Sequence, residues 1–156
     1  MTPGSFKATF VDDNVLEFLA EPNNVRRNAI WAFDALVAHI YRSAKVMVPD
    51  LMRRFKNDDE YRNALAAEDE PYAVLRDAAN ALKHAQLTRT KEPRVKFSES
   101  FASLGVFQAN TFQQNAVQRR QVFVETTPPR RVYPVAYIIA EVLAKLASEM
   151  ERLGAP

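Results

Sequence analysis

NVRRNAIWAFDALVAHIYRSAKVMV, residues 24–48, repeats its apolar side chains at spacings of three and four: Ile30, Phe33, Val37, Ile40, Ala44 and Met47. That spacing places all six on one stripe of an α-helix. The stripe runs for several turns, so it calls for a partner surface along its length. Pro49 stops the helix, because proline lacks the backbone donor and clashes with the preceding turn. Neighbouring segments read the same way. A short helix is expected over 13–20, where Asn14 and Glu17 have the capping-box form and Pro22 ends the segment. Asp58, Asp59 and Glu60 suit the positive start of a short helix over 58–67. Glu70-Pro71 opens another over 70–87, since proline is tolerated at the first helical position. Its apolar face is small: Leu75, Ala78, Ala79, Leu82 and Ala85. A last helix is expected over 133–153. Ile139, Val142, Leu146, Met150 and Leu153 form its stripe, and Gly154 its stop.

From 89 to 132 the helical period is lost. Phe107-Gln108-Ala109-Asn110 is echoed by Phe112-Gln113-Gln114-Asn115, and residues 121–125 alternate as a strand does. Pro128-Pro129 marks a turn. The expected fold is therefore mostly α. It is an antiparallel helical bundle with a small β-hairpin or irregular excursion before the last helix. A chain of 156 residues supplies one good core and is short for two, so one domain over 1–156 is expected.

Composition excludes several chemistries. The chain has no Cys, two His and three Gly. That removes disulfides, thiolate zinc sites and a cysteine nucleophile, and it leaves little for a histidine metal site. No P-loop or dinucleotide fingerprint occurs, so neither cofactor nor metal is expected. The apolar run 135–140 is broken by Glu141, far short of the roughly 20 residues a bilayer requires. A cytoplasmic protein without a membrane partner is expected. The net charge is only +2, yet residues 88–131 hold eight Lys/Arg against three Glu. Such a segment suits contact with an anion or nucleic acid, or serves as a solvated loop that keeps exposed strands apart. Arg89, Lys91, Arg94 and Lys96 are its candidate nucleic-acid-binding residues.

One stretch combines polar groups usable in catalysis. In Leu75-Arg76-Asp77-Ala78-Ala79-Asn80-Ala81-Leu82-Lys83-His84, residues four apart share a face, so Arg76, Asn80 and His84 line one ridge. Asp77 and Lys83 flank it. The ridge unites a fixed positive charge, an amide that donates and accepts, and an imidazole that exchanges a proton near neutrality. Such groups can orient a phosphodiester, stabilise a pentacoordinate phosphorane and act as acid and base without a metal. The same residues also suit a structural role, hydrogen-bonding a loop or a neighbouring helix.

The Asn80-x-x-x-His84 spacing on a late helix of a small bundle resembles the higher-eukaryote-and-prokaryote nucleotide-binding (HEPN) domains. Many of these are metal-independent endoribonucleases with a composite site at a homodimer interface. The resemblance implies that His84 is the acid–base residue and that Asn80 holds the polar position. It implies RNA as partner and a homodimer. Ala79 stands where the family places its Arg, and Arg76 lies one turn earlier; Arg76 or Lys83 would supply the charge. The pattern Asp77-x-x-Asn80-x-x-Lys83-His84 is also similar to that of small uncharacterised bacterial proteins. A non-enzymatic helical module, binding a partner protein through the strands of 107–124, is the alternative.

Overall fold

The computed structural model describes residues 1–20, 22–84, 93–95, 100–105, 120–127 and 130–155, and within these the side chains other than 22–27, 84, 102–105 and 120. Helix begins much earlier than residue 13. Thr2 caps α1 (Pro3–Phe6) by accepting from Ser5 N at 3.2 Å, with Pro3 in the first turn. A π-helical turn, Lys7–Val11, continues into α2 (Asp12–Ala20). The expected cap at Asn14 is thus incorrect. Asn14 lies inside the helix, and its Nδ2 donates to Phe10 O at 2.6 Å.

Helix α3 (Pro22–Met47) is the central element, touching α1, α2, the short α4 (Pro49–Met52), α5 (Asp58–Glu68), α6 (Glu70–His84) and α7 (Val135–Arg152). Ile30, Phe33, Val37, Ile40 and Ala44 are buried as the spacing predicts. Leu36, Ala29 and Tyr41 are buried as well, because α3 has neighbours on more than one side. Met47 departs from the expectation: it is 52% exposed at the end of the stripe.

Local caps set α5 and α6, the second of which carries the ridge. Asn57 Oδ1 accepts from Glu60 N at 2.9 Å, and the Glu60 carboxylate reaches back to Lys56 N at 2.8 Å. Asp69 Oδ1 accepts from Tyr72 N at 2.7 Å at the start of α6. That helix buries Tyr72, Val74, Leu75, Ala78, Ala79, Ala81 and Leu82 against its neighbours. Its expected continuation to residue 87 lies outside the described residues, as do the 107–115 repeat and the Pro128-Pro129 turn.

Before α7 come three antiparallel strands in the order β1 (Phe101–Gly105), β2 (Arg120–Glu125), β3 (Val132–Pro134). Phe101 pairs with Val124, and Phe123 with Pro134. Val122 and Val124 turn inward while Gln121 is exposed, the two-residue period of a half-buried strand. The expected β excursion is thus present as the antiparallel β1–β2 pair, and β3 extends it to a three-stranded sheet. Tyr133, expected in the last helix, belongs to β3. Helix α7 closes in a Schellman motif, with Ala155 N bonded to Met150 O and Gly154 N to Glu151 O. Gly154 takes φ +61°, which an L side chain rarely adopts. The fold is mostly α, and no helix among the described residues is long and apolar enough to cross a membrane.

Candidate functional site

The buried face of α6 leaves its polar ridge at the surface. Arg76 and Asn80 are half-buried one turn apart, and Lys83 is exposed beyond them. Position 84 ends the helix on the same face; the His84 side chain lies outside the described residues. Arg76 Nη1 donates to Asn63 Oδ1 of α5 at 2.6 Å. Its acceptor is a neutral amide, so the guanidinium is fixed in direction while its charge stays available. Among the described residues neither Arg76 nor Lys83 makes an ion pair. The geometry also accounts for Ala79. That residue is buried and its carbonyl accepts from Trp31 Nε1 of α3 at 3.3 Å. A guanidinium at 79 would point into the core.

Arg94 is bound to the same helix by both its backbone and its side chain. Its N–H donates to Asp77 Oδ2 at 2.5 Å, and its Nε lies 3.3 Å from Glu70 Oε2. Thr127 N donates to Arg94 O at 2.6 Å, and Thr127 Oγ1 to Pro93 O. With Val95 fully buried, residues 93–95 are strapped between α6 and the end of β2. Burial raises the Asp77 carboxyl above its ordinary pKa, opposed by the Arg94 N–H and the Arg76 charge. Residues 93–95 thus stay next to α6, with the Arg94 side chain exposed although paired. Arg89, Lys91 and Lys96 lie outside the described residues.

Behind the ridge, Arg62 ties α5 to α3. Its Nε is 3.3 Å from Asp34 Oδ1, and its Nη1 lies 3.0 Å from Asp58 and 3.3 Å from Asp59. Beside this cluster the Tyr72 hydroxyl is buried without a hydrogen-bond partner among the described residues, and burial pushes its pKa up. An unpaired buried hydroxyl carries its desolvation cost uncompensated. Tyr72→Phe is therefore expected to raise stability, by about 1 kcal/mol in urea unfolding. A loss of that size would contradict the unpaired state.

Sequence reasoning missed a polar triad around a buried carboxylate. Tyr61 Oη donates to Glu149 Oε1 at 2.8 Å, and Arg152 donates to the same carboxylate through Nε at 2.8 Å and Nη2 at 2.6 Å. Glu149 is only 7% exposed. The Arg152 bonds hold its carboxyl below the ordinary range, against the opposing effect of burial. A depressed carboxylate adds stability above its unfolded pKa near 4.5, and that stability is lost as pH falls through the folded value. Glu149→Gln is expected to cost about 2 kcal/mol at neutral pH. It should also flatten the acid limb of thermal stability below about pH 4.5; an unchanged limb would contradict the role. The signal in the sequence was an acid at a stripe position: Glu149 lies three after Leu146 and four before Leu153. Met150, read as the stripe residue, is only half-buried.

His39 stacks on Phe6 with centroids 4.3 Å apart, and burial lowers its pKa. Among the described residues no three His, Asp or Glu stand together to hold a metal. A scan against family models finds no match, and searches of curated proteins and of solved structures find none either.

Proposed function

We propose that the chain is a HEPN-like RNA-associated protein whose α6 ridge engages the phosphodiester backbone. The observation that supports this most is Arg76, a cation held in direction by neutral Asn63 and left without a carboxylate partner among the described residues. In this reading Arg76 and Lys83 supply charge and Asn80 positions a phosphate. His84 carries the proton for metal-independent cleavage: the RNA 2′-hydroxyl loses its proton and attacks phosphorus, and the 5′-oxygen leaves and is protonated. The family likeness adds a second copy of the chain to complete the site.

The test is binding of a labelled single-stranded RNA across a salt series. Arg76→Ala and Lys83→Ala should each weaken binding and reduce the salt slope by about 0.7, the loss of one phosphate contact. Binding and slope equal to those of the parent would contradict the proposal. The alternative, a protein-interaction module, draws on a different observation. Leu16 and Leu19, 65% and 51% exposed, share one face of α2. Its other proposed surface, the strands of 107–124, falls mainly outside the described residues.

A further inference from the structure

The corner between α3 and α4 carries apolar side chains outside the core. Pro49 stops α3, and the chain turns at Val48, whose N–H donates to Ala44 O at 2.8 Å and whose carbonyl accepts from Leu51 N at 3.1 Å. One residue thus joins the last turn of α3 to α4. Met52 is the part of α4 that enters the core, and its neighbour Leu51 is 52% exposed. Val46, at the end of α3, is 81% exposed. With Met47, three large non-aromatic apolar side chains stand in solvent along six consecutive residues.

The same corner is strongly basic. Residues 42–56 hold Arg42, Lys45, Arg53, Arg54 and Lys56 against one acid, Asp50, and all six are exposed. Arg42, Lys45 and Val46 share the outer face of α3 at spacings of three and four. Asp50 pairs with Arg53 at 3.2 Å. The other four cations make no ion pair among the described residues. The acids that follow are engaged elsewhere: Arg62 holds Asp58 and Asp59, and the Glu60 carboxylate accepts from Lys56 N.

Proteins that hold single-stranded RNA stack its bases on aromatic rings. None of the exposed apolar residues at this corner is aromatic. Val46, Met47 and Leu51 can instead enter the acyl boundary of a bilayer while the cations around them meet anionic headgroups. We propose that this corner docks the protein on an anionic membrane surface. The expectation of no membrane partner rests on the lack of a spanning run, which surface docking does not require. The contact uses no residue of the α6 ridge and stands whether or not the chain binds RNA.

The test is sedimentation of the full chain with sucrose-loaded phosphatidylcholine vesicles containing about 30% phosphatidylserine. Pure phosphatidylcholine vesicles and a labelled single-stranded RNA run in parallel. Saturable binding to the anionic vesicles is expected, with none to phosphatidylcholine and release at high salt. Lys45→Gln and Arg54→Gln should each weaken it about fivefold, equivalent to about 1 kcal/mol. Val46→Ser combined with Leu51→Ser should weaken it about tenfold at unchanged thermal stability, since both side chains lie outside the core. No binding to the anionic vesicles would overturn the proposal. So would vesicle binding unchanged by the double serine variant, or RNA binding that falls with Lys45→Gln and Arg54→Gln while vesicle binding does not.

Discussion

Replacing Phe33 by alanine should cost about 3–5 kcal/mol of folding free energy. Phe33 is fully buried on α3, the helix in contact with the other principal helices and with β2. Truncation removes the ring's transfer free energy and leaves a void that the surroundings close only partly. Those surroundings are held by unrelated contacts: Arg62 ties α5 to α3, and the Trp31 bond ties α6 to it. A loss of this size is a large part of the roughly 5–15 kcal/mol that keeps a domain folded. Urea unfolding at constant m-value would register it as a lower midpoint. A change below about 1 kcal/mol would mean that α3 is not the core helix.

How much of this was legible in the sequence depends on the range of the interactions. The α3 stripe was readable because a 3.6-residue period acts within one element, and Ile30 through Ala44 are buried accordingly. The stop at Gly154 was readable because the positive φ at a helix end selects glycine. The start of the N-terminal helix was misplaced because Asn14 and Glu17 mimic a capping box, whereas Asn14 bonds back to Phe10 within a helix that continues from Thr2. Strand β3 has three residues, too few to show a period, and it takes its identity from pairing with β2. The candidate site divides in the same manner. The Arg76–Asn80 spacing lies within one helix. The Asn63–Arg76 bond spans 13 residues and the Tyr61–Glu149 bond 88, so only the fold brings those partners together.

The largest functional effect is expected at His84. In the proposed reaction its imidazole is the only ridge group with an unperturbed pKa near neutrality, so no ridge neighbour can replace it as proton carrier. General acid–base catalysis contributes roughly 10²–10⁴-fold, so His84→Ala should reduce cleavage by at least about 10²-fold. RNA binding should persist, because Arg76 and Lys83 remain. EDTA should leave the parent's rate unchanged, since no step of the reaction uses a metal. Thermal unfolding of the variant separates this from a structural role, in which stability and activity would fall together. The most direct measurement is therefore cleavage of total RNA by the purified protein in EDTA, with His84→Ala alongside. The account predicts cleavage by the parent, and its loss in a variant as heat-stable as the parent. Intact RNA with the parent, or equal cleavage by both proteins, would contradict it.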